Sequence, residues 1–117
     1  MNVLFVCTAN TERTRKAEDL FKGREGLSVR SAGTHPLGDG KPLTRDLVEW
    51  ADRILVMEDE HRSYIAVHYP SALPKIRVLG TRDEYSRENP RLGRLLEQKT
   101  RRIFQSSGST NPMTGGR

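Results

Sequence analysis

The sequence predicts an α/β fold of three layers, with helices on both faces of a four-stranded parallel sheet. Two observations predict it. Short apolar runs, NVLFV at 2–6, ILVM at 54–57 and IRVL at 76–79, alternate with stretches of helical spacing. Within these runs the apolar residues are nearly continuous, as in strands whose two faces are both buried. Strands that alternate with helices in this way build a parallel sheet through helical crossovers. Ligands of such sheets bind outside the carboxyl ends of the strands, so the residues just after each apolar run carry the functional interest.

The first strand is 2–6, with Val3, Leu4, Phe5 and Val6. A helix over 14–22 follows, with Ala17, Leu20 and Phe21 on one side. Residues 27–30 make a short second strand in which Leu27 and Val29 alternate with polar positions. The stretch GTHPLGDGKP at 33–42 holds three glycines and two prolines and reads as a loop. Thr44 is placed to cap a helix ending at Trp50 or Ala51, because its hydroxyl can accept an unpaired N–H of the first turn. Trp50, on the apolar face of that helix, reads as a core residue. The third strand is 53–57, and a helix over 59–68 is stopped by Tyr69 and Pro70. A fourth strand at 76–79 leads into the polar loop GTRDEYSREN at 80–89. Pro90 suits the first turn of a last helix, which reaches Phe104 through Leu92, Leu95, Leu96 and Ile103. The expected domain is therefore 1–105. The remainder, SSGSTNPMTGGR at 106–117, has little to bury and reads as a disordered tail.

The 117 residues suit one domain with one core. No stretch approaches the roughly 20 apolar residues of a membrane span. The apolar run after Met1 is too short and lacks the basic start of a signal peptide. A single cysteine allows no internal disulfide, which fits a reducing compartment, so a cytoplasmic protein is expected. His35, His61 and His68 lack zinc-ligand spacing and read as surface residues, so neither a metal nor a cofactor is expected. GDGK at 38–41 lacks the spacing of a nucleotide-binding loop. The net charge of +5 favours anionic partners or marks a basic soluble surface.

The chemistry concentrates in CTANTERT at 7–14. The only cysteine stands where the first strand ends, and Arg13 and Thr14 open the helix. A loop in that place can turn several backbone N–H groups inward, and the helix dipole adds to their pull on an anion. The planar fork of Arg13 can grip two oxygens of a phosphate. The same positive field favours an ionised sulfur, which is a nucleophile toward bound phosphorus. Thr14 can hydrogen-bond the sulfur, and Asn10 tolerates the left-handed backbone that a tight cradle needs. The competing reading is a small buried cysteine beside a helix whose arginine faces water.

The stretch VLFVCTANTERTRKAEDLF resembles the opening of the low-molecular-weight protein tyrosine phosphatases, in particular a short branch of that superfamily. Those enzymes carry a Cys-x5-Arg-Ser phosphate loop directly after the first strand. Cys7, Asn10, Arg13, Thr14, Ala17 and Glu18 stand at the matching places. The resemblance continues through SAGTHP at 31–36 and LVEWADRILVMEDEHR at 47–62, and returns at RDEY. It implies a phosphatase that forms a cysteinyl-phosphate, with Cys7 as nucleophile, Arg13 as phosphate ligand and Asp83 as general acid. Glu84 is the rival acid. Thr8, Ala9, Asn10, Thr11, Glu12 and Thr14 would hold the phosphate, Tyr85 would wall the cleft, and Ser31 would bond to the loop. The implied substrate is a phosphorylated protein, through phosphotyrosine, or a small aryl phosphate.

Three residues depart from the family's pattern. Glu12 stands where many relatives have a second cysteine, so no disulfide can shield Cys7. Arg15 replaces the usual proline. Asp83-Glu84-Tyr85 replaces an Asp-Pro with paired tyrosines. The alternative is a non-catalytic phosphate- or phosphopeptide-binding module on the same fold, for which Glu12 is the sequence feature. Arsenate reductase shares the fold and the phosphate loop, but its thioredoxin-coupled kind passes a disulfide through two further cysteines, which counts heavily against it in a sequence with a single thiol. Nucleic acid is a weaker partner, because no aromatic residue interrupts the arginines of the last helix before Phe104. The sequence leaves the oligomeric state open.

Overall fold

The computed structural model describes residues 1–81 and 89–108, with side chains placed up to Phe104. Its sheet has β1 (Asn2–Cys7) at the centre, paired in parallel with β2 (Ser28–Gly33) on one side and β3 (Arg53–Val56) on the other. The last strand, β4 (Ile76–Val78), pairs in parallel with β3, giving the order β2-β1-β3-β4. The chain first moves outward from β1 to β2, then returns past β1 to build β3 and β4. The direction reverses between β1 and β3, so a crevice opens at their carboxyl ends, where loops diverge to opposite faces.

The helices cover both faces, as expected. Consecutive strand residues point to opposite sides, so β1 supplies Val3, Phe5 and Cys7 to one core and Leu4 and Val6 to the other. The first core is closed by α1 (Arg13–Phe21) through Ala17 and Phe21, and by α4 (Pro90–Gly108) through Leu92 and Leu96. Phe21 stacks on Phe5 at 5.8 Å and meets the edge of Phe104 at 5.1 Å, which locks the two helices to the sheet. The second core is closed by α2 (Arg45–Trp50) through Val48 and by α3 (Asp59–His68) through Ile65. Thr44 caps α2 as expected, its Oγ1 accepting from the Leu47 N–H at 3.3 Å. Trp50 packs against the second core from its margin, half-buried, with the Arg30 guanidinium 4.5 Å from its ring centre.

Some boundaries differ from the sequence reading. The second strand runs to Gly33 rather than Arg30, because Ser31, Ala32 and Gly33 pair in register with Phe5, Val6 and Cys7. These small residues look like a turn in the sequence but are all buried. At Gly33 small size has a purpose, since a Cβ there would lie 2.5 Å from the Thr8 carbonyl oxygen. A 3-10 turn, Pro70–Lys75, joins α3 to β4. The last helix continues to Gly108 instead of ending near Phe104. Helix extension costs little once a turn exists, so the first three residues assigned to the tail continue its backbone. Residues 109–117 lie outside the described residues, as do Asp83, Glu84 and Tyr85. Among the described residues, no helix is long and apolar enough to cross a membrane.

Candidate active site

Cys7 is the last residue of β1 and is 2% exposed. The loop after it hangs from the segment that follows β2. The carbonyls of Cys7, Thr8 and Ala9 accept from the N–H groups of Thr34, His35 and Leu37 at 3.0, 2.8 and 3.1 Å. With its carbonyls held there, the loop curls back over the sulfur, and the Asn10 N–H donates to Sγ at 3.3 Å. This curl needs a left-handed residue, and Asn10 provides it with φ of 59°. Its side chain then fixes the curl. Asn10 Nδ2 donates to Thr14 Oγ1 at 2.7 Å and to Ser31 Oγ at 2.9 Å, while its Oδ1 accepts from the Lys41 N–H at 2.7 Å. Ser31 Oγ donates onward to Glu18 Oε1 at 2.5 Å, and the Lys41 ammonium lies 3.6 Å from the other oxygen of Glu18.

Thr14 receives the Asn10 amide on a lone pair, so its hydroxyl proton is available to Cys7 Sγ, 3.2 Å away. The sulfur thus accepts from the loop N–H of Asn10 and shares a hydrogen bond with the Thr14 hydroxyl in the first turn of α1. At the N-cap of that helix Glu12 makes no side-chain capping bond. The N-terminus of a helix is a place where an anion is stabilised. Of the predicted phosphate residues, Asn10 and Thr14 are buried, and Thr8, Ala9, Thr11 and Glu12 are half-buried along the loop.

Arg13 is buried at the start of α1. Its NH1 donates to Glu58 Oε1 at 2.6 Å and to the Thr81 carbonyl at 2.8 Å. Glu58 follows β3 and Thr81 follows β4, so one guanidinium ties the loop to the carboxyl ends of both strands. Thr81 is itself held by donating its N–H to the Met57 carbonyl at 2.7 Å.

Sequence reasoning missed Glu58 and His61. The expectation that His61 lies at the surface is wrong: it is 1% exposed. Its Nδ1 accepts from the Glu58 N–H at 3.0 Å, which completes a reciprocal cap at the start of α3. Its Nε2 lies 2.9 Å from Thr8 Oγ1. His35 and His68 are exposed, as expected. Glu58, Glu60 and His61 bring metal-ligand atoms within 4.8 Å of one another, but both His61 nitrogens already serve these hydrogen bonds. The sequence signal for Glu58 was its place just past the third strand, on the same sheet edge as Cys7.

No family model matches the sequence. The curated protein-arginine-phosphatase of Bacillus subtilis (strain 168) is 36% identical over 105 residues, which cover 68% of this chain and 70% of that protein. Among solved structures, a low molecular weight protein tyrosine phosphatase from Bacillus subtilis is 28% identical. It covers 93% of this chain and 100% of its own, with a TM-score of 0.73. The YwlE arginine phosphatase, solved as a mutant with a phosphorylated active-site serine, is 27% identical. It covers 92% of this chain and 98% of its own, with a TM-score of 0.73.

Proposed function

The chain belongs to the low-molecular-weight protein tyrosine phosphatase superfamily, and from that premise we propose that it is a cysteine-dependent phosphatase acting on phosphorylated protein side chains. The observation that carries this reading is the placement of Cys7 Sγ between the Asn10 N–H and the Thr14 hydroxyl, at the bottom of a loop with a left-handed turn. In the proposed first step the Cys7 thiolate attacks phosphorus, the bond to the leaving atom breaks, and Asp83 gives that atom a proton. In the second step water attacks the cysteinyl-phosphate and gives a proton to Asp83. The S–P bond breaks, and inorganic phosphate leaves. The loop N–H groups and Arg13 hold the equatorial oxygens throughout, where charge is concentrated in the transition state. Asp83 and Tyr85 keep their proposed roles from the sequence. Support for Asp83 comes from Thr81, two residues earlier, which is anchored on Arg13.

For the substrate we place phosphoarginine first. The curated relative is named for that activity, and Glu12 puts a carboxylate in the loop, which suits a guanidinium-bearing substrate better than a phenol. Phosphotyrosine is the second reading, favoured by the tyrosine phosphatase among the similar structures. The test is p-nitrophenyl phosphate turnover in chelator by wild type and Cys7→Ser, followed by phosphoarginine and phosphotyrosine peptides compared by kcat/KM. Turnover that survives Cys7→Ser sinks the mechanism. Phosphate binding without turnover by folded wild type leaves a binding module.

A further inference from the structure

We propose that His61 is a positioning residue for the phosphate loop, fixing Thr8 through one ring nitrogen and Glu58 through the other. The inference deepens the phosphatase reading and rests on it. The ring is buried in the crevice between the loop after β1 and the start of α3. The Glu58 N–H points at Nδ1, so Nδ1 is the acceptor and Nε2 carries the proton. Nε2–H therefore donates to Thr8 Oγ1. Thr8 directly follows the nucleophile, and the Glu58 whose backbone meets Nδ1 is the residue whose carboxylate aims Arg13. One imidazole thus sets two members of the site that are 50 residues apart in sequence, Thr8 and Glu58.

The loop is also held from the opposite side, where the Thr8 carbonyl itself accepts from the His35 N–H. Ser31, Lys41, Thr34, His35 and Leu37 all belong to β2 or the segment after it. Across the crevice, on the α3 side, Thr8 is met by His61. Loss of that bond leaves Thr8 anchored by its carbonyl alone, so the residue can pivot about the β2-side bond, and a displacement of about 1 Å at a reacting centre costs on the order of a hundredfold in rate.

Two half-isosteres separate the two bonds. The Oδ1 of asparagine takes the place of Nδ1 and keeps the helix cap, but asparagine does not reach Thr8. The Nε2 of glutamine takes the place of the histidine Nε2 and keeps the donor to Thr8. For p-nitrophenyl phosphate, His61→Asn is expected to lower kcat by roughly ten- to a hundredfold. His61→Gln is expected to keep most of it while losing more thermal stability than His61→Asn. Thr8→Val, which removes the acceptor, should reproduce the loss of His61→Asn, and the double variant should lose no more than either. The dissociation constant for inorganic phosphate is read on the same proteins. If wild type binds phosphate without turnover, a weakening by His61→Asn that glutamine restores upholds the positioning role while the phosphatase reading falls. Wild-type behaviour of His61→Asn, additive losses in the double variant, or activity that follows the melting temperature alone would overturn the inference.

Discussion

Asn10 joins the backbone conformation of the loop to its hydrogen bonding in a single side chain. It takes a left-handed φ and satisfies Thr14, Ser31 and the Lys41 N–H. Each such bond contributes about 1 kcal/mol net, and an unpaired buried group costs more. A Cβ without that local bonding adds about 1 kcal/mol at positive φ. Asn10→Ala should therefore destabilise the fold by about 3–4 kcal/mol, and Asn10→Gly by about 1 kcal/mol less, because glycine accepts the turn. Urea midpoints at constant slope measure both, and equal losses would show that the turn itself contributes nothing. Arg13 poses a question of shape rather than charge. A lysine in its place has no planar fork with which to hold Glu58, the Thr81 carbonyl and a phosphate together. Arg13→Lys should lower kcat/KM by about a hundredfold or more, and a loss under tenfold would mean that charge alone suffices. Cys7, Asn10, Arg13 and Thr14 were legible in the sequence because they lie within eight residues. Glu58, His61 and Thr81 were not, because their bonds to the loop span 45, 53 and 68 residues. No local pattern announces a partner at such separations.

Elements place these residues, and the places where two backbones nearly touch are the most sensitive. A Cβ on Gly40 would lie 2.2 Å from the Ala9 carbonyl oxygen and 2.9 Å from that of Leu37. Backbone cannot yield as a side-chain tip can, so Gly40→Ala must push the phosphate loop or the turn behind it. The sheet has no part in that contact. The expected result is a loss of phosphate affinity of about tenfold with the far-UV spectrum unchanged. Unchanged affinity would show that the turn, not the loop, gives way. Among the described residues, β1 and β3 were readable because burial on both faces of a parallel sheet leaves continuous apolar runs, and the helices because their apolar residues recur on one side. The end of β2 was not. Ser31, Ala32 and Gly33 carry no apolar pattern, Gly33 being small because the loop passes against it, and smallness reads as a turn. The surface expectation for His61 failed for a related reason. A histidine that caps a helix and meets a hydroxyl is satisfied in the interior, and hydropathy does not register that satisfaction.

At the scale of the whole molecule, a basic chain surrounds a site that must capture an anion. The net charge is +5, and Arg91, Arg94, Arg101 and Arg102 are exposed along α4. Part of the charge is used locally. The Lys99 ammonium donates to the Gly80 carbonyl at 3.1 Å, and Arg24 pairs with Glu97. The remainder acts at a distance, and distance is what salt removes. Between about 0.01 and 0.15 M the screening length contracts from about 30 to about 8 Å. Encounter with an acidic phosphopeptide should slow over that range, whereas the bound reaction should not, because Cys7 and Arg13 are buried and act at contact. The expected outcome is a fall in kcat/KM of about three- to tenfold with kcat unchanged, measured on one acidic phosphopeptide across a salt series. The small dianion p-nitrophenyl phosphate should show a lesser fall, since it engages less of the basic surface. A kcat/KM that is flat in salt would confine the positive charge to solubility. A kcat that falls with it would mean that the charged surface also holds the site together.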